Sequence, residues 1–234
     1  PLKVVPDPAR SMLMQQRLQP LLDEIPGDLA EATADPTEML TVRGLARIGL
    51  DQLDLAQADL ERALARTADY PDALLGMAHI ALRQLRVQAA VDLVERSLTA
   101  NPRSVDAWVL KGRAHALLGR QEPAAEAYRQ LHAIYPANRD ANIRLAEYHV
   151  VRGELDVAAR FADTVLKATP MDADGLFLLG VIAYRNGDVP LARKLVMQAI
   201  NVRPDDQAAL VLAGCILYAQ GAYGGATGPL LGVL

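Results

Sequence analysis

Cysteine, aromatic residues and long apolar runs are all scarce in this chain of 234 residues. Its one cysteine, Cys215, excludes an intrachain disulfide. No stretch of about 20 uninterrupted apolar residues occurs, so no membrane-spanning helix is expected. Aromatic residues make up 4% of the chain, against 51% for all hydrophobic residues. This composition favours closely packed helices over sheets and provides little material for a sugar-stacking site.

Charge of one sign is not concentrated anywhere in the sequence. The formal net charge is −4, and acidic and basic residues are interleaved, so no nucleic-acid or anionic-membrane partner is predicted. The glycine-rich run 224–228 contains no lysine and therefore does not match a phosphate-binding loop. His79, His115, His132 and His149 are too scattered for a metal site by local spacing. We predict no catalytic residue, no metal and no cofactor.

Small residues recur at a fixed interval along most of the chain. One series consists of the alanines Ala58, Ala90, Ala124, Ala158, Ala192 and Ala226, whose first interval is two residues shorter than the other four. A second series keeps the same intervals twelve residues upstream, at Ala46, Ala78, Gly112, Ala146, Gly180 and Gly214. A stack of similar helix pairs, each of about 34 residues, requires this pattern, because each pair meets the next where only a small side chain fits.

Helix-ending and helix-starting residues recur at the same interval. Prolines that would end the second helix of a pair stand at Pro102, Pro136, Pro170 and Pro204. The polar residues expected to start the next helix are Asp106, Asp140, Asp174 and Asp206. These markers predict an all-α, right-handed superhelical solenoid of antiparallel helix pairs. Its units are 39–70, 71–104, 105–138, 139–172, 173–206 and an incomplete 207–234, after a degenerate helical cap over 1–38.

The unit 105–138 carries Trp108, Gly112, Ala124, Tyr128 and Pro136 at characteristic intervals. With these residues it resembles a tetratricopeptide (TPR) repeat. Residues 39–65 and 168–223 further resemble the TPR-repeat lipoproteins of bacterial PEP-CTERM and exopolysaccharide systems. That resemblance implies a lipid-anchored envelope protein encoded with export or polysaccharide machinery. Its lipid-carrying cysteine would lie upstream of Pro1.

The first helix of each unit lines the concave face of such a stack, and the small-residue markers indicate which side chains point inward. The predicted peptide-binding groove consists of Arg43, Arg47, Leu75, His79, Arg83, Val109, Arg113, Ile143, Arg144, Glu147, Phe177, Val181, Tyr184, Val211, Cys215 and Tyr218. It is basic toward the N-terminal end and apolar and aromatic toward the C-terminal end, which suits a helix or an extended peptide. Contacts with neighbouring helices would explain Val181 and Val211 equally well.

We predict a non-catalytic scaffold that binds a protein or peptide partner in this groove and assembles an envelope export or exopolysaccharide system. Two alternatives remain open. One is a cytosolic TPR adaptor or co-chaperone. A clamp for the C-terminal carboxylate of chaperones is disfavoured, because the asparagines expected on the inner face are absent. The other is the substrate-presenting arm of a larger enzyme such as a glycosyltransferase. The incomplete last unit suggests a piece of a longer solenoid, whose open face could pair with a second copy.

Overall fold

The computed structural model describes residues 36–219, together with 18, 19 and 22. Regular structure within 36–219 is entirely helical. The helices are α1 Thr37–Gly49, α2 Leu53–Arg66, α3 Pro71–Arg83, α4 Val87–Ala100, α5 Val105–Leu117, α6 Gln121–Ile134, α7 Arg139–Val151, α8 Leu155–Ala168, α9 Ala173–Arg185, α10 Val189–Val202 and α11 Gln207–Ala219. Consecutive helices of a pair are joined by turns of three residues. The predicted all-α architecture of helix pairs is confirmed.

The chain divides into two compact units, residues 1–127 and 128–234, with the boundary inside α6. In the first unit, one buried cluster joins α1, α2 and α3 around Leu40, Leu60 and Ile80. A second cluster joins α3, α4 and α5 around Val94 and Leu110. Each cluster therefore contains both helices of one pair and the first helix of the next pair. This arrangement is the one that repeat stacking requires, because a single pair cannot bury its own apolar side.

The second unit is built in the same way. Ile143, Val165 and Ile182 belong to a cluster that joins α7, α8 and α9. A further cluster joins α9, α10 and α11 around Val196 and Ile216. The close contacts between helices are made at the recurring small residues, of which Ala90, Ala158 and Ala192 are fully buried. At Gly180 an added Cβ would lie 2.6 Å from Cγ2 of Val196, so even a methyl group does not fit without a shift.

The first repeat begins two residues earlier than predicted. Helix α1 starts at Thr37. The interval from Thr37 to the start of α3 at Pro71 equals the interval from Pro71 to the start of α5 at Val105. The predicted shorter first interval and the predicted boundary at 39 are therefore wrong. The packing alanine of α2 is Ala56, which is fully buried, whereas the predicted marker Ala58 is exposed. In α1 the close contact is made by Gly44, where a Cβ would lie 2.7 Å from Cγ of Leu60.

Parts of the predicted organisation fall outside the described residues. Most of the predicted cap over 1–38 lies outside the described residues. Only residues 18, 19, 22 and 36–38 of it are described, and Thr37 and Glu38 belong to α1. The sixth predicted unit is described only as far as α11, and its remaining residues, 220–234, lie outside. The predicted pairing of two copies through that end stays a prediction.

Four first helices, α5, α7, α9 and α11, are capped by a side chain at the residue before the helix. Its oxygen accepts a hydrogen bond, 2.9–3.2 Å long, from the N–H three residues on, at Ser104, Asn138, Asp172 and Asp206. The prediction was correct for Asp206. The other three predicted residues, Asp106, Asp140 and Asp174, lie in the first turn instead, where a negative charge suits the helix dipole.

Each turn within a described pair contains one residue with positive φ. Three of these residues are glycines, at Gly119, Gly153 and Gly187, but Asp51 and Leu85 adopt φ values of 61° and 60°. The left-handed conformation costs a residue with a Cβ about 1–2 kcal/mol. The Leu85 side chain is 85% exposed, so packing contacts do not offset this cost.

Candidate partner-binding surfaces

Three predicted residues lie together on the first compact unit, and we call His79, Arg83 and Arg113 the basic face. His79 and Arg83 are four residues apart and therefore lie on one side of α3. Arg113 comes from α5, which contacts α3, and its charge acts on His79. Val109 is half-buried one turn before Arg113 on α5. Their predicted role in binding a partner stays a prediction.

The basic face contains a neutral imidazole and two guanidinium groups, one of which is paired with a carboxylate. Burial lowers the pKa of His79 to about 4, and the charges of Arg113 and Arg83 lower it as well. The imidazole is therefore neutral at pH 7, and its buried Nε2 has no hydrogen-bond partner among the described residues. Arg83 pairs with Asp51. Arg113 is exposed and makes neither a hydrogen bond nor an ion pair with the part of the chain that the structure describes.

Arg43 and Arg47 do not belong to this surface, so their predicted place in the groove is wrong. Arg43 is 4% exposed, and its Nε and Nη2 donate to the two carboxylate oxygens of Asp59 at 2.8 and 2.6 Å. Arg47 Nη1 donates to Oδ2 of the same carboxylate at 2.5 Å and to the carbonyl of Leu55 at 3.3 Å. Asp59 is itself 2% exposed. One buried carboxylate thus holds two guanidinium groups between α1 and α2.

The two-residue shift of the first repeat explains this error. The prediction placed Arg43 and Arg47 at the register that Leu75 and His79 occupy in the next repeat. With the first interval corrected to match the others, that register in α1 belongs to Thr41 and Leu45. No local pattern marked the buried cluster, because Asp59 lies far from Arg43 in sequence and on a different helix.

The second compact unit presents a different surface, which we call the aromatic face: Phe177 and Tyr184 on α9 with Val211, Cys215 and Tyr218 on α11. Phe177 and Tyr184 are half-buried and pack against the core cluster that joins α9, α10 and α11. Val211 is 39% and Tyr218 66% exposed. The helices α9 and α11 contact each other, so these side chains come from neighbouring elements.

Four other predicted residues of the second unit are accounted for by internal contacts or ion pairing. Ile143 is 4% exposed because it packs into the cluster of α7, α8 and α9, so its predicted place in the groove is wrong. Val181 packs against the same cluster, in agreement with the alternative explanation by neighbouring helices. Arg144 and Glu147 are paired with each other at 2.8 Å on α7. In the first unit Leu75 is likewise buried, at 3% exposure.

Two histidines of the second unit meet around Phe161. The ring of His149 stacks on Phe161 with centroids 5.6 Å apart, and His132 meets the same ring edge-on at 5.3 Å. Nδ1 of His149 lies 2.5 Å from a carboxylate oxygen of Glu154. Across residues 36–219 with 18, 19 and 22, no group of three His, Cys, Asp or Glu side chains is placed to hold a metal ion. The same residues contain no helix with the length and hydropathy needed to cross a bilayer.

Short helix pairs repeated at a constant interval, with small residues between them, define a helical-repeat protein. The tetratricopeptide repeat family model matches residues 41–100, 75–139 and 143–201. These matches cover more than half of the sequence, and the chain belongs to the tetratricopeptide repeat family. No curated protein sequence matches it.

Solved structures with the same fold come from several bacteria. PilF from Pseudomonas aeruginosa aligns with a TM-score of 0.73 at 14% identity, over 83% of this chain and 89% of that one. A tetratricopeptide repeat protein from Parabacteroides merdae aligns with a TM-score of 0.71 at 16% identity, over 84% of this chain and 78% of that one. YrrB, described as a TPR protein with an unusual peptide-binding site, aligns with a TM-score of 0.63 at 18% identity, over 84% and 97%. The chain therefore has the TPR solenoid fold.

Proposed function

We propose that this protein is a non-catalytic scaffold that binds a protein or peptide segment on the exposed first-helix surfaces of its repeats. The observation that carries the proposal is the aromatic face, where Tyr218 and Val211 are exposed on α11 while Phe177 and Tyr184 are half-buried on the contacting helix α9. Apolar side chains left accessible on a packed scaffold gain free energy when a partner covers them, at roughly 25 cal/mol per Å². An apolar segment presented as a helix or extended chain is the partner this face suits.

The fold gives this proposal additional support. YrrB, which shares the fold at 18% identity, is described as having a peptide-binding site. In this chain the candidate surfaces of both compact units are offered by first helices, whose other sides are held in core clusters built with the second helices. A rigid helical support that presents a few exposed side chains is suited to binding, because little conformational entropy is lost in the scaffold.

We further propose that the scaffold acts in the bacterial envelope, in the assembly of an export or exopolysaccharide system. Support for this comes from the resemblance of residues 39–65 and 168–223 to envelope TPR lipoproteins. Fractionation of the native host, with the protein expressed from its own gene, should recover it with the envelope. Recovery in the cytoplasmic fraction, with a cytoplasmic marker as reference, would contradict the envelope role and leave the binding proposal intact.

The binding proposal is tested by selecting ligands from a random peptide library on the immobilised protein. Enriched peptides are expected to bind at least tenfold more weakly to a Tyr218→Ala variant, because the most exposed aromatic side chain of the face is lost. Met197→Ala is the matched control, since Met197 is 43% exposed but lies on the second helix α10. The double variant Phe177→Ala with Tyr184→Ala should also lose binding, with circular dichroism confirming that helix content is retained.

The selection can also reject the proposal. Failure to enrich any peptide would count against a peptide-binding scaffold. Enriched peptides that bind Tyr218→Ala and the Phe177/Tyr184 double variant as tightly as the unmodified protein would exclude the aromatic face as the site.

A further inference from the structure

We propose that Arg203 is a positioning residue for the aromatic face, because its guanidinium group bridges the starts of α9 and α11, the two helices that carry that face. This inference rests on the proposed scaffold function and adds a residue that acts on the binding surface through the placement of its helices. All residues of the bridge lie in the second compact unit, residues 128–234.

The first step is the geometry of the bridge. Arg203 follows the last residue of α10, and its Nη1 donates to Oδ1 of Asp174 at 3.0 Å and to Oδ2 of Asp206 at 3.2 Å. Asp174 lies in the first turn of α9. Asp206 precedes α11, and its Oδ1 accepts a hydrogen bond from the N–H of Ala209 at 3.1 Å. One guanidinium group therefore links the start of α9 to the residue that caps α11.

The bridge also reaches the preceding repeat. Arg139, the first residue of α7, donates from Nε to Oδ2 of Asp172 at 2.6 Å and from Nη2 to Asp174. Burial opposes the ionisation of Asp174, but the hydrogen bonds from Arg203 and Arg139 outweigh it and lower the pKa of that carboxyl. An isolated exposed ion pair contributes little to stability, whereas several charges that share partners hold a definite geometry.

Apolar contacts between α9 and α11 are modest. The buried residues of α11 in the core cluster are Ala209, Ala213 and Ile216, and an alanine side chain buries little apolar area. Phe177 of α9 packs against that same cluster. Phe177 also lies three residues after Asp174, so the two are neighbours on the surface of α9. A movement of the start of α11 relative to α9 would therefore change the aromatic face.

The repeat pattern does not require an arginine at this position. The residues that follow α2, α4, α6 and α8 at the position of Arg203 are uncharged at pH 7: Thr67, Asn101, Tyr135 and Thr169. The bridge is thus particular to the helices that carry exposed Val211 and Tyr218. This coincidence favours a role for Arg203 in the aromatic face over a general role in stacking.

The first measurement is amide hydrogen exchange in the protein without a ligand. Arg203→Gln should speed exchange at Ala209 about fivefold, because the cap of α11 loses its link to α9, and should change Gly175 much less. Arg139→Gln should do the reverse, since Arg139 holds Asp172, whose carboxylate accepts from the N–H of Gly175. Both variants remove one positive charge, so a general effect of charge cannot explain opposite results.

The second measurement is the affinity for a peptide that was enriched on the immobilised protein and requires Tyr218. The peptide is chosen without Asp or Glu and is amidated at its C terminus, so an ion pair with Arg203 cannot account for the effect. Arg203→Gln should weaken binding about threefold, because the peptide must itself order the start of α11. Arg193→Gln is the matched control, because Arg193 is an exposed arginine earlier on the same helix α10.

Each outcome decides the inference. Faster exchange at Ala209 together with weaker peptide binding, in Arg203→Gln and not in Arg193→Gln, supports it. Unchanged exchange at Ala209 overturns it, as does an equal loss of affinity in both variants. Faster exchange with unchanged affinity also overturns it and leaves the scaffold function standing. If no library peptide binds, the proposed function fails, and the positioning role fails with it.

Discussion

Replacing Asp59 by alanine should destabilise the first compact unit by about 3–5 kcal/mol, the usual cost of removing one partner from a buried ion pair. The Asp59 carboxylate holds two guanidinium groups at 2.5–2.8 Å. Without it, Arg43 loses a bidentate partner while remaining 4% exposed. Arg47 keeps only the carbonyl of Leu55 among the described residues, and its buried Nε already has no partner there.

The free energy of unfolding is measured by urea titration followed by circular dichroism. Because repeat proteins can unfold in parts, hydrogen exchange of α1 and α2 should show that the loss is local. Glu61→Ala is the control, since Glu61 is exposed two residues further along α2, and it should change the free energy by less than about 0.5 kcal/mol. A triple variant with Arg43→Met, Arg47→Met and Asp59→Leu should recover most of the loss, because apolar replacements remove the buried charges altogether.

An Asp59→Ala protein as stable as the Glu61→Ala control would refute the role assigned to this carboxylate. A triple variant less stable than Asp59→Ala would show that the cluster contributes more than the neutralisation of two buried cations.

Three further perturbations have expected outcomes. Leu85→Gly should raise the free energy of unfolding by up to about 1 kcal/mol in urea titrations, because glycine adopts φ near 60° without the cost of a Cβ, and Gly119→Leu should do the reverse. Gly180→Ala should lower it by about 1–3 kcal/mol, because the new Cβ would approach Val196 Cγ2 at 2.6 Å, and adding Val196→Ala should restore part of the loss. His79, with a pKa of about 4 when folded and 6.5 as a free group, takes up its proton more readily in the unfolded chain. Stability should therefore fall by up to about 3 kcal/mol as the pH drops from about 6.5 to about 4, and a His79→Gln variant titrated in parallel should lack this component.

The repeat interval predicted most of the fold because two physical requirements recur with it. Small side chains are needed where neighbouring helix pairs touch, as at Ala158 and Gly180, and a helix must end before the next can begin. Helices start at residues 71, 105, 139, 173 and 207, where the predicted units start. The right class of fold and the right helix pairs therefore follow from composition and spacing alone.

The first repeat was misplaced because its small residues occur in pairs. Gly44 and Ala46 lie two apart, as do Ala56 and Ala58, and either member of each pair fits a pattern of small residues. Two residues correspond to roughly 200° around a helix, so the choice decides which side faces the core. The turn before Pro71 also lacks a proline at the register of Pro102, so nothing in the sequence corrected the choice. Because of this error, the prediction placed Arg43 on a surface, although its side chain is buried.

For the candidate surfaces, the repeat interval predicts which positions of the first helices are equivalent, but not how exposed each residue is. Leu75, Val109, Ile143, Phe177 and Val211 share one register, yet they range from 3% to 39% exposed. Their burial depends on the size and packing of side chains in adjacent helices, which the interval does not specify. The missing partner of Arg113 among the described residues and the neutral imidazole of His79 likewise depend on distances between helices, and only the folded arrangement provides those.

The capping residues have a consequence for how such a chain can change in length. Asn138 starts α7 from the last position of the preceding repeat, and Asp172 starts α9 from the equivalent position. Deleting residues 139–172 would join Asn138 to Ala173 and place the N–H of Gly175 three residues after the asparagine, as Ala141 is now. A side-chain cap for the following helix would therefore be available after the deletion. Recombination at such junctions can add or remove whole repeats without a new helix start having to evolve.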